Sequence, residues 1–228
     1  MCCGCWRRNS LSVVDAEERV LPLVVRVERA SPPTRTDALE AAARAVLFMV
    51  TTDEPEWRSA VDAWQGNRIR KVVRRARGAE WRRAEALPGL TVSQGSAEVR
   101  VYPPIPLDEW PRDLSRLQVS GTELADPEAP GAAHGAVVLL APDVVMTAGK
   151  AMAQAGHAAQ LGLWSLPDDV AGAWAAEGFP LAVRTASPAQ WLAAVESGAP
   201  VVHDAGFTEV TPGSATATFV YPAAVSAE

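Results

Sequence analysis

The stretch AWQGNRIRKVVRRARGAEWRRAEALPGLTVSQGSAEVRVYP (Ala63–Pro103) is echoed by AWAAEGFPLAVRTASPAQWLAAVESGAPVVHDAGFTEVTPGSATATFVYP (Ala173–Pro222). Trp64 falls on Trp174, Trp81 on Trp191, and Tyr102-Pro103 on Tyr221-Pro222. Both stretches read as the same succession. A helix end is followed by a strand, a short amphipathic helix and two strands. A chain that repeats its grammar in this way points to an internal duplication of one α/β unit, the alternative being two unrelated α/β segments with a common grammar.

Reading outward completes each unit. In the first, LPLVVRVER (Leu21–Arg29) is a β-rich run ended by Ser31-Pro32-Pro33. Thr34 or Thr36 then caps the helix DALEAAARAVLFMV, whose alanine and leucine content favours that state. EWRSAVDAW is a second helical piece reaching Gly66. In the second unit, AVVLLA (Ala136–Ala141) is a strand, Gly149–Trp164 a helix and DDVAGAWAAE another. SPAQWLAAVES takes Ser187 as its cap and Pro188 at its first position. The expected architecture is α/β, in three-layer units with a four-stranded mixed β-sheet flanked by helices. The boundaries are a leader at 1–19, a first unit at 20–105, a Pro/Gly/Ala/acid-rich linker at 106–135 and a second unit at 136–228.

Composition narrows the class. The chain of 228 residues is 48% hydrophobic and 21% charged, as ordinary globular proteins are. No apolar run is long enough to span a bilayer, so no membrane partner is expected. Cys2, Cys3 and Cys5 all fall in the leader, and the rest of the chain has no cysteine for an internal disulfide, which fits a reducing cytoplasm. MCCGCWRR has no nearby histidine or second ligand pair, so it reads as a disordered start and not as a zinc site. No metal and no cofactor are expected.

Charge is unevenly placed. The net charge is −6, yet Arg68, Arg70, Lys71, Arg74, Arg75, Arg77, Arg82 and Arg83 crowd one short window with Glu80 as the only acid. An acidic protein with one basic patch is suited to holding an anion in one place. The patch equally suits a solvated sheet face. Of the 21 basic residues only Lys71 and Lys150 are lysine. A compact ammonium does a different job from a planar guanidinium, so Lys150 points to a chemical requirement, the alternative being chance.

Lys150 follows Gly149 at a helix start, where unpaired N–H groups and the positive dipole end favour an anion. Gln154 and His157 follow it at i+4 and i+7 on the same face. Asp204 ends the β-rich APVVHD, at the carboxyl end of a strand, where α/β sheets commonly face their ligands. It is placed to pair with Lys150 and to orient or deprotonate a water. Thr208 supplies a hydroxyl, Gly206 and Gly213 allow close backbone approach, and Ser214 and Thr216 suit loop bonding. No G-x-S-x-G elbow supports a serine nucleophile at Ser214.

The two segments GKAMAQAGHAA (Gly149–Ala159) and DAGFTEVTPGSAT (Asp204–Thr216) resemble the signatures of the type 2 peptidyl-tRNA hydrolase family, GK-x-x-AQ-x-x-HA and DAG-x-T-x-x-x-x-G-[ST]-x-T. Every fixed residue is present. Two positions depart from the family pattern. MTAGK (Met146–Lys150) replaces the usual MGKGK, and Glu209 stands where glutamine is usual. The resemblance implies hydrolysis, without cofactor, of the ester joining a peptide to tRNA, with Lys150, Asp204 and Thr208 as the catalytic set. Gly149, Gln154, His157, Gly206 and Ser214 would bind substrate, with Arg74 and Arg75 on the tRNA. It also implies alternatives, namely a non-catalytic RNA- or protein-binding relative and a hydrolase of aminoacyl-tRNA esters.

The first unit has TDALEAAARAV and SQGSAEV where the second has GKAMAQAGHAA and DAGFTEV, so it lacks every polar signature residue. Members of the family are commonly homodimers. The first unit would then be a degenerate copy standing in for a second subunit, making a pseudo-dimer within one chain, with further oligomerisation open.

Overall fold

A computed structural model describes residues 18–133, 135–205 and 209–222; Cys2, Cys3 and Cys5 fall outside them. The first unit runs β1 (Arg19–Arg26), α1 (Arg35–Val50), α2 (Pro55–Gln65), β2 (Lys71–Ala76), α3 (Gly78–Glu85), β3 (Leu90–Gln94) and β4 (Ala97–Val101). A connecting segment carries β5 (Ile105–Pro106) and α4 (Arg112–Ser115). The second unit runs β6 (Ala136–Leu140), α5 (Ala148–Ser165), α6 (Asp168–Ala176), β7 (Leu181–Thr185), α7 (Pro188–Glu196), β8 (Val201–His203) and β9 (Ala215–Val220).

The sheets have one topology. The first orders its strands β2-β1-β4-β3, with β5 added against β1, and the second β7-β6-β9-β8. In each, the first strand pairs parallel with the second and antiparallel with the fourth, and the third and fourth are antiparallel. The protein is therefore α/β, built of two similar units with mixed sheets and flanking helices. Trp64 and Trp174 carry the likeness to single bonds. Each indole N–H donates at 2.9 Å to the carbonyl six residues on, Arg70 or Pro180, which fixes the turn leading into β2 or β7.

The elements follow from local chemistry. Thr34 is the residue that caps α1, its hydroxyl accepting from Asp37 N–H. Ser187 and Gln190 close a reciprocal capping box at α7. Helices α1 and α5 are alanine-rich and buried on nearly all sides, because they pack on each other between the two sheets. At Gly156 a Cβ atom would stand 2.7 Å from Val46 Cγ2, so glycine allows α5 to approach α1 there. One hydrophobic core runs through both units, and a second, of Val24, Ala76, Trp81, Ala84, Tyr102, Leu114 and Leu117, fills the outer face of the first sheet.

The connecting segment is mostly irregular outside β5 and α4, and it packs as a strap. Leu114, Leu117 and Thr122 are buried. The Arg74 guanidinium donates to the Ser115 and Leu117 carbonyls at 3.1 and 2.6 Å, and that of Arg75 to Gly121 O and Gln118 Oε1 at 3.0 and 2.6 Å. Among the described residues no helix is long and apolar enough to cross a membrane.

Candidate active site

Helix α5 begins where β6 hands the chain across the sheet, and β8 ends beside it. Thr147 caps α5, accepting weakly from the Lys150 N–H at 3.4 Å, and the Ala148 N–H donates to Thr122 O of the strap at 2.9 Å. The cap residue is itself held by Glu209. Its carboxylate accepts from the Thr147 N–H at 3.0 Å and the Thr147 hydroxyl at 2.8 Å. The departure at position 209 thus ties the loop after β8 to the positive end of α5, where a carboxylate is favoured.

Lys150 Nζ and Asp204 Oδ2 form an ion pair in which the side chains are 14% and 5% exposed. Gln154 Nε2 donates to the same Asp204 oxygen at 2.6 Å. Behind it, the buried Thr216 hydroxyl lies 2.8 Å from Gln154 Oε1 and 3.2 Å from Val202 O. The backbone of Asp204 is clamped as well. Its N–H donates to Ser214 O at 2.9 Å and its carbonyl accepts from Gly213 N–H at 2.7 Å, with Gly213 at a φ of 83° that favours glycine. Ser214 is thus tied to Asp204 through its backbone.

Lys150, Gln154 and Asp204 line a cleft of ≈ 900 Å³ together with Gly149, His157, His203 and Glu209. The first unit and the strap supply the opposite wall, Arg68, Ile69, Arg70 and Lys71 from one and Val119 and Ser120 from the other. The basic window therefore reaches the cleft through its beginning, and the Arg74 and Arg75 side chains, which do not line it, bond from β2 to the strap. Gly206 and Thr208 fall outside the described residues.

Lys71 was not among the expected site residues. Its ammonium donates to Gln160 Oε1 at 2.6 Å and to Ile69 O at 3.4 Å, and stands 3.1 Å from His157 Nδ1. Burial pushes its proton affinity well below the usual lysine range. His157 is pushed well below the usual histidine range by burial first, then by the charges of Lys71 and Lys150, so its ring is neutral at pH 7. The scarcity of lysine that singled out Lys150 applied equally to Lys71. Thr216, by contrast, gave no signal beyond its place in the second signature.

An ion pair nearly out of solvent is a weak source of stability, because desolvation offsets its attraction. It is well suited to presenting a fixed ammonium to an anion or to a developing oxyanion, with a carboxylate able to take or orient a proton. Among the described residues no three His, Cys, Asp or Glu side chains gather as a metal site would.

Residues 135–227 match the family model described as Peptidyl-tRNA hydrolase PTH2. No curated protein matches the chain. The matched segment spans β6 to β9 and holds Lys150, Gln154, His157 and Asp204 of the cleft. The carboxy-terminal unit, over residues 135–227, is thus similar to the peptidyl-tRNA hydrolase PTH2 family.

Proposed function

We propose that the protein hydrolyses the ester between a peptide and the terminal ribose of tRNA, releasing tRNA for reuse, by direct attack of water. The observation that carries this reading is the Lys150–Asp204–Gln154 constellation inside a cleft large enough for a nucleotide and part of a peptide. Asp204 orients the attacking water, accepts its proton and returns it to the ribose oxygen as the acyl–oxygen bond breaks. Lys150 spends one N–H on Asp204 and offers the others to the carbonyl oxygen as it gains charge, or to the terminal phosphate. Thr208 positions the water, a role that rests on the family signature. An activated ester needs little more than positioning and one oxyanion donor. The first unit stands in for a second subunit, supplying the cleft wall that carries Arg68 and Arg70.

Purified protein is expected to release peptide from peptidyl-tRNA, with Lys150→Ala losing at least about a hundredfold in turnover, the worth of one oxyanion donor. Its tRNA affinity should stay within a few fold. Tight tRNA binding by the wild-type protein with no ester cleavage would establish the non-catalytic alternative. Preference for an aminoacyl over a peptidyl ester would establish the other.

A further inference from the structure

The chain's second lysine belongs to the first unit but works inside the second. Lys71 opens β2, an edge strand of the first sheet, and its side chain crosses to α5, to His157 and Gln160 one turn apart. Ile69 O and Gln160 Oε1 can only accept, so they take two of the ammonium's three hydrogens. As an ammonium, Lys71 has its third hydrogen left for His157 Nδ1, 3.1 Å away. The Trp64 ring, its centroid 4.8 Å from Nζ, adds a face that favours a cation. Gln160 leaves its Nε2 buried and without a partner among the described residues while keeping its oxygen on Lys71, as a donor at Nζ demands.

Two obligate acceptors at Nζ and the Trp64 face beside it favour the ammonium form, so the shared proton stays on the lysine. A neutral ring that accepts at Nδ1 carries its hydrogen on Nε2. That nitrogen has no protein partner among the described residues, and the ring lines the cleft beside Lys150 and Gln154.

The other side of the molecule provides an internal control. By strand register, Leu181 of β7 occupies the place of Lys71, and by the sequence repeat Arg44 of α1 occupies that of His157. The crossing lysine is present only on the side with the intact signature.

We propose that Lys71 is a positioning residue lent by the first unit to the second unit's site, holding His157 with Nε2–H toward the cleft as a hydrogen-bond donor to the substrate. This rests on the hydrolase reading. It also gives the first unit a direct part in the chemistry, beyond forming a wall.

The test has two arms. Nitrogen NMR of the wild-type imidazoles should show His157 Nδ1 unprotonated and Nε2 protonated at pH 7, and Lys71→Met should abolish that fixed tautomer. In peptide release, Lys71→Met should lose about tenfold in kcat/KM, the worth of one hydrogen bond. In the His157→Ala background the same substitution should cost nothing further, because Lys71 acts through that ring. A hydrogen found on Nδ1 in the wild type, or fully additive losses, overturns the proposal. Wild-type protein that releases no peptide overturns the hydrolase reading, while the spectrum still decides the tautomer.

Discussion

Thr216 Oγ1 lies 2.8 Å from Gln154 Oε1, and this contact decides which end of the Gln154 amide meets Asp204. With its oxygen taken by the hydroxyl, the amide turns its NH₂ to Asp204 Oδ2 at 2.6 Å. The carboxylate is thereby held for Lys150 by a residue that never faces the cleft.

Thr216→Val keeps the shape and removes the hydroxyl. It should cost about 1–3 kcal/mol in chemical denaturation, since the buried Gln154 oxygen is left without a partner. Peptide release should fall by about tenfold with tRNA affinity unchanged, one hydrogen bond's worth of misplacement. If both quantities match the wild type, Gln154 does not depend on Thr216 for its orientation.

The basic window divides into two jobs. Arg74 stacks on Trp110, 4.3 Å from the ring centroid, and donates to two strap carbonyls. Arg68 lines the cleft with a side chain 71% exposed. Arg74→Ala should therefore lower stability by about 1–3 kcal/mol and leave tRNA affinity within a few fold. Arg68→Glu should weaken tRNA binding and make its salt dependence shallower by about one phosphate contact. Equal affinities for Arg68→Glu and wild type across a salt series would make that end of the window a solvated face.

The fold was legible because its signals are local and doubled. Hydrophobic alternation marked the main strands, caps at Thr34 and Ser187 marked helix starts, and Trp64 and Trp174 sit at the same turn with the same bond. The meeting of Lys150, Gln154 and Asp204 was legible too, because the signatures place one at a helix start and another at a strand end. Contacts between units left no such trace. Nothing in IRKVVRRA says that Lys71 turns toward α5 while Arg74 and Arg75 turn toward the strap, since that depends on how the two sheets face each other.

That facing rests on a close approach of helices. Gly156→Val should destabilise the protein by about 1–3 kcal/mol or more, because its first added carbon already crowds Val46. Pairing it with Val46→Ala should recover part of the loss in thermal unfolding. No recovery would mean that the two helices are not held apart by this contact.

Asp37 and Lys150 occupy corresponding places in the repeated helices, and their different partners give a prediction for pH. Lys150 reaches across to Asp204, whereas the Asp37 carboxylate receives the Ser96 N–H at 2.8 Å and the Ser96 hydroxyl at 2.6 Å in the turn between β3 and β4. Burial raises the proton affinity of Asp37, but the bonds from Ser96 and the contact with Thr34 lower it more, and its carboxyl ends below the usual range. A carboxyl depressed by folding stabilises the protein above its unfolded value, about 3.9, and the contribution fades as pH falls through the folded value. Asp37→Asn should therefore cost about 1 kcal/mol at pH 7, after allowance for solvent at a half-exposed site. The gap between variant and wild type should stay level down to about pH 4 and close below it. Urea titrations at a series of pH values measure that gap, and one that persists undiminished at pH 2 would show that Asp37 holds the turn by shape and not by charge.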